Sequence, residues 1–203
     1  ALPDSISGLT ALEEIHLANN QLTALPDSIC TLPQLRRMWL KGNQLARLPE
    51  DIGSMPVLEE LSVGHNQLSV LPDSIGRAPR LIALSLTANQ LAVLPDSICA
   101  VSTLRYLYLN RNALTALPED IGQLTGLCIL WIGHNRLTDL PDSIGQLHRL
   151  GQLRLPSNQL TDLPDSLRGL SNLKTLDITD NPLTALPSFL GAMGGIDDLS
   201  HSL

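Results

Sequence analysis

The sequence predicts an α/β solenoid, an arc of stacked coils built from eight full 23-residue units and a degenerate ninth. Three observations carry this reading. Leu-Pro recurs at Leu2, Leu25, Leu48, Leu71, Leu94, Leu117, Leu140, Leu163 and Leu186, every interval being 23 residues without an insertion. An asparagine keeps the same period, at Asn20, Asn43, Asn66, Asn89, Asn112, Asn135, Asn158 and Asn181. Between these marks lies a short apolar alternation, as in Ile15/Leu17, Met38/Leu40, Leu61/Val63 and Leu84/Leu86. A fixed period of this length describes units that cannot bury an apolar side alone and must stack on their neighbours.

Each part of the unit has a physical reason. The alternation predicts a short strand with every second side chain buried. The three-residue spacing before it (Ile6, Leu9, Leu12) suits a tight 3₁₀ or helical turn. Proline at the start of that turn presets φ, and the acid behind it faces the partial positive charge of unpaired N–H groups. The asparagine stands in a leucine-lined turn, so its amide must bond to backbone groups of adjacent coils, which predicts a ladder along the stack. Residues 1–185 form the solenoid. Residues 186–203, which lose the asparagine and gain Asp197 and Asp198, read as a degenerate C-terminal repeat or cap. The first unit lacks a comparable polar cap. This leads us to expect a longer parent chain and an open strand edge suited to self-association.

Each unit reads LPDSI-xx-L-xx-L-xx-L-x-L-xx-N-x-L, and this pattern resembles the leucine-rich repeat family in its 23-residue intracellular form. That form is found in Ras-pathway scaffolds, plant intracellular Ras-group repeats and the repeat domains of bacterial type III effectors. The resemblance covers all 203 residues. It implies a parallel β-sheet on the concave side, short helical or 3₁₀ turns on the convex side, and a protein–protein interaction module binding its partner on the concave face. Effectors of this class also join such repeats to a ubiquitin ligase or another modifying domain. The alternative is therefore substrate recognition for a larger effector enzyme.

Composition narrows the function. Ten of the twenty acids fall in the recurrent Leu-Pro segment (Asp4, Asp27, Glu50, Asp51 and their equivalents), so the net charge of −7 belongs to the scaffold. No run approaches the roughly 20 apolar residues of a membrane span. Three cysteines (Cys30, Cys99, Cys128), odd in number and widely spaced, suggest a reducing intracellular compartment. Delivery into a host cell as a bacterial effector would be consistent with it. No catalytic constellation, phosphate loop, dinucleotide fingerprint or Cys-x-x-Cys pair is present, and no cofactor is expected. His65 and His134 share a repeat position three units apart, roughly 15 Å by strand spacing, too far to share a metal.

The variable strand positions are the candidate site. One column runs His16, Trp39, Ser62, Ser85, Tyr108, Trp131, Arg154, Asp177; its neighbour runs Glu14, Arg37, Glu60, Ala83, Tyr106, Ile129, Gln152, Thr175. Every tryptophan and tyrosine falls in these columns, and only Phe189 lies elsewhere. Aromatics and arginine are what contact hot spots use. The expected partner-binding residues are Arg105, Tyr106, Tyr108, Arg111, Trp131 and Arg154, with a second anchor at Trp39 beside Arg36, Arg37 and Lys41. Sideways packing within the sheet competes with this reading. Two Glu-Arg-Glu series, Glu13/Arg36/Glu59 and Glu14/Arg37/Glu60, predict charge ladders satisfied within the sheet. The face carries no basic stripe of the kind nucleic acid requires. The expected partner is therefore a protein.

Overall fold

The computed structural model describes residues 2–188, 190 and 198–200. Phe189 and Asp197 lie outside the described residues, as does most of the terminal segment predicted to be a cap.

The 23-residue period becomes one parallel sheet whose strands stand in chain order. These are β1 (Glu14–His16), β2 (Arg37–Trp39), β3 (Glu60–Ser62), β4 (Ala83–Ser85), β5 (Tyr106–Tyr108), β6 (Ile129–Trp131), β7 (Gln152–Arg154), β8 (Thr175–Asp177) and β9 (Asp198–Ser200). Each residue pairs with the one 23 positions later, as in Glu14↔Arg37 and Tyr108↔Trp131, so the sequence columns are physical columns. The degenerate ninth unit keeps this register, with Leu176↔Leu199. The sheet forms the concave side of the arc, and 3₁₀ turns such as Asp27–Thr31 form the convex side.

The convex turns differ from expectation in two details. Proline is the extended residue before the turn (Pro26 φ −70°, ψ 143°), and the helical residues begin at the aspartate. That aspartate makes no capping hydrogen bond with its side chain, so its contribution is the field of its charge in the first turn. In the third and sixth coils the segment reads Leu-Pro-Glu-Asp, and the 3₁₀ turn shortens to Ile52–Ser54 and Ile121–Gln123.

The core is aliphatic. In the second coil Ile29, Leu32, Leu35, Met38 and Leu40 are wholly buried, and the same positions are buried in every coil from there to the eighth. In the first coil Leu9 is 54% exposed, and Leu2, Leu12, Leu17 and Leu22 are only partly buried.

The asparagine ladder forms as expected. Asn66 Nδ2 donates to Val63 O in its own coil (2.9 Å) and to Leu40 O in the preceding coil (3.1 Å). Its Oδ1 accepts the Leu45 N–H of the preceding coil (2.9 Å). Asn43, Asn89, Asn112, Asn135, Asn158 and Asn181 repeat the arrangement. Asn20, in the first coil, is exposed and among the described residues bonds to Leu17 O and Ala18 O of its own coil.

The residue preceding each asparagine is left-handed: Asn19, His65, Ala88, Arg111, His134, Ser157 and Asp180 have φ of 54–57°, and Gly42 has 73°. Among these, Ala88 has neither the freedom of glycine nor a polar side chain to support the turn. Ala88→Gly is expected to raise stability by about 1 kcal/mol in urea unfolding, because relief of the Cβ clash outweighs the added chain entropy. Gly42→Ala is expected to act in the opposite direction, since its Cβ would also overlap Asn19 Oδ1.

Candidate contact surface on the sheet face

The strands place Trp39, Tyr106, Tyr108, Trp131 and Arg154 on one face, because alternate residues point away from the leucine core. In the central column Tyr108 and Trp131 meet edge to face, with ring centroids 5.1 Å apart and planes at 75°. The Arg154 guanidinium lies over the Trp131 ring, 4.8 Å from its centroid. Trp131 Nε1 donates to Gln152 Oε1 (3.3 Å). Tyr106, 38% exposed, flanks Tyr108 in the adjacent column. The sequence therefore brings Tyr106, Tyr108, Trp131 and Arg154 into one connected patch. Each ring or cation–π contact adds about 1 kcal/mol to the sheet itself.

Arg105 and Arg111 frame the patch. Arg105 Nη1 donates to the Ser102 and Leu104 carbonyls (both 3.2 Å), and its guanidinium lies against Gly126, where a Cβ would collide with it. Arg111 is exposed in the left-handed turn after β5. Arg154 is opposite Asp177 in the register, yet Asp177 turns to Thr179, accepting its N–H and hydroxyl (3.2 and 2.8 Å). Arg154 Nε is buried without a hydrogen-bond partner. Among the described residues no carboxylate pairs with Arg105, Arg111 or Arg154.

The Trp39 end is different. Trp39 packs on the His16 ring, centroids 4.1 Å apart, and its Nε1 donates to Glu60 Oε1 (3.0 Å). Arg36 pairs with Glu59 (2.6 Å) and Arg37 with Glu14. The guanidinium of Arg37, followed by burial and by His16, sets the balance that holds the Glu14 carboxyl below its usual range. The predicted three-member ladders are thus single pairs: Glu13 is left out of the first, and Glu60 turns to Trp39 in the second. Lys41 is exposed.

The cysteines are unbonded and stand on two sides of the coil. Cys30 and Cys99 lie in the convex turns. Burial, and then the charges of Asp51 and Asp27, push the Cys30 thiol up to about 12. Burial with Asp120 and Asp96 pushes Cys99 to about 11. Both therefore remain protonated and unreactive at neutral pH. Cys128 is half-buried, with its Sγ directed at Gly126 O (3.4 Å). Among the described residues there is no group of histidine, cysteine and carboxylate side chains able to hold a metal ion.

Family models described as leucine-rich repeat match residues 3–45, 57–78 and 172–193, and a leucine-rich repeat region model matches 89–178. The chain belongs to the leucine-rich repeat family. Three solved structures align with its whole length. A protein of Leptospira interrogans is 30% identical over 100% of this chain and 57% of its own, with a TM-score of 0.74. The ectodomain of the Arabidopsis thaliana membrane receptor kinase GASSHO1/SCHENGEN3, in complex with Casparian Strip Integrity Factor 2, is 28% identical over 100% of this chain and 26% of its own, with a TM-score of 0.90. Internalin C2 of Listeria monocytogenes is 23% identical over 100% of this chain and 85% of its own, at 0.82, a likeness of fold. The chain thus spans well under two thirds of the first two. No curated protein sequence matches it.

Proposed function

We propose that these leucine-rich repeats are a protein-binding module whose partner lies across the concave sheet, contacting Arg105, Tyr106, Tyr108, Arg111, Trp131 and Arg154, with Trp39 as a second anchor. One observation carries the reading. On a sheet where Arg36 and Arg37 find carboxylates, the three arginines around the Tyr108–Trp131 pair have none among the described residues. Cations left without an acid beside partly exposed rings are suited to a partner's carboxylates and apolar side chains. The Arabidopsis neighbour, solved in complex with Casparian Strip Integrity Factor 2, supports a protein or peptide as ligand.

The chain itself does no chemistry in this proposal. The same face would serve substrate recognition for an enzyme domain in a longer protein, much as the Arabidopsis repeats are the ectodomain of a receptor kinase. An intracellular setting belongs to the proposal too, supported by three unbonded cysteines.

The test is affinity capture from host-cell lysate with the native chain and with a Tyr108→Ala/Trp131→Ala variant, circular dichroism establishing that both are folded. A protein retained by the native chain and at least about tenfold depleted on the variant is the expected result. Equal retention of the same proteins by both would assign the aromatic column to sheet packing.

A further inference from the structure

A second feature of the concave face lies between its two aromatic ends. Trp39 and Tyr108 are three strands apart in one column, about 14 Å by strand spacing, and only Ser62 and Ser85 stand between them. In the neighbouring column Ala83 separates Glu60 from Tyr106. At Ala83 the sheet leaves a hollow of about 400 Å³, lined by Tyr106 and Tyr108 on one side and by Glu59, Glu60 and Arg37 on the other, with Ile82 and Ala83 between them. Ile82 is 41% exposed there.

The charges around this hollow are unevenly satisfied. Glu59 is held by Arg36, and Arg37, which also reaches the rim, is turned to Glu14 on the far side. Glu60 is in no ion pair among the described residues: its Oε1 takes the Trp39 indole N–H, a neutral donor, and the residue lines the hollow. Burial raises the Tyr108 phenol, and the neighbouring Tyr106 and the Glu60 charge raise it further, as expected of a carboxylate facing the tyrosines. A half-buried carboxylate without a counter-ion, opposite two phenol rings, is complementary to one kind of group. A cation entering there gains a charge-assisted hydrogen bond and ring faces together.

We propose that this hollow is a receptor for a basic side chain, an arginine or lysine projecting from the partner, which enters between Glu60 and the Tyr106–Tyr108 wall. The proposal rests on the reading of the concave sheet as a contact face and adds the chemistry of one contact. It also assigns the two ends of the face opposite preferences. The Tyr108–Trp131 end, with unpaired arginines, suits acidic groups; the Glu60 hollow suits a basic one.

The experiment uses single capped amino acids as probes and so does not depend on finding the partner. N-acetyl-arginine methylamide and N-acetyl-lysine methylamide are titrated into the native chain. N-acetyl-citrulline methylamide is the neutral analogue of the arginine probe. The two indole N–H signals are followed by NMR, since only Trp39 and Trp131 contribute them. The expected result is a saturable millimolar shift of the Trp39 signal with the cationic probes, little with citrulline, and affinity weakened about tenfold in Glu60→Gln. The glutamine can still accept the indole N–H, and an unmoved Trp131 signal shows that the variant is folded. No shift at tens of millimolar, an equal response to citrulline, or an unchanged affinity in Glu60→Gln would overturn the proposal. Such an outcome, combined with partner capture that still depends on Tyr108 and Trp131, would remove the basic-side-chain site alone. Loss of that dependence would instead remove the contact-face reading beneath it.

Discussion

Asn66→Ala is expected to destabilise the protein by about 3 kcal/mol, read as a lower urea midpoint and a broadened transition. The reason lies in which groups keep a partner. The carbonyls that Asn66 serves are shared: Leu40 O also accepts from Asn43, and Val63 O from Asn89. The Leu45 N–H has only Asn66 Oδ1, so the variant leaves a buried donor with nothing to bond. The cost is that orphaned group together with the lost amide bonds. Asn20→Ala is the control. It removes an exposed side chain that bonds only within its own coil, and under about 1 kcal/mol is expected. Equal effects at the two positions would show that the amide acts through local turn geometry alone.

Gly53→Ala is expected to cost a similar amount, about 3 kcal/mol, for a steric reason. A Cβ at Gly53 would fall inside the carbonyl of Ser74 in the next coil, and a backbone group cannot swing aside as a side chain can. Gly53 N also donates to Ser74 Oγ (3.2 Å), which holds the two turns together. Gly76, Gly122 and Gly145 repeat this close approach to Ser97, Ser143 and Ser166. The two coils that carry cysteine at the same position, Cys30 and Cys99, precede the two coils that read Leu-Pro-Glu-Asp and have the shortened turn. At these two positions the cysteine side chain precedes a turn that is different, while Ser7 shows that a small side chain also fits ahead of the ordinary Asp27–Thr31 turn of the second coil. Cys99→Ala is accordingly expected to cost only about 1 kcal/mol. Replacing Asp73-Ser74 by Glu-Asp should recover part of the Gly53→Ala loss, a coupling that a double-mutant cycle would measure. Additive effects would disprove it.

These two positions also show what a reader of the sequence can and cannot see. The strands, their register and the asparagine ladder were legible, because a 23-residue period without insertions leaves one way to stack the coils. The placement of Trp39, Tyr106, Tyr108 and Trp131 on the open face followed from the same register. The pairing of Glu60 did not. Register puts Arg37 midway between Glu14 and Glu60, and only the indole N–H of Trp39 decides that Glu60 turns away. That Arg154 stacks on Trp131 and leaves Asp177 to Thr179 was hidden in the same manner. The left-handed column was hidden because asparagine, glycine, histidine, alanine, arginine, serine and aspartate all occupy it. The glycine–cysteine alternation on the convex side depends on how closely two backbones approach, and no single unit shows that.

The direction of the asparagine ladder matters during synthesis. From Asn43 to Asn181, each side-chain bond that leaves its own coil reaches a residue 21 or 26 positions earlier, and none reaches forward among the described residues. As the chain emerges from the ribosome, every such amide therefore meets partners that have already been made. A coil can close onto its predecessor while the rest is still being translated, so the stack can grow from the N-terminal end at the pace of elongation.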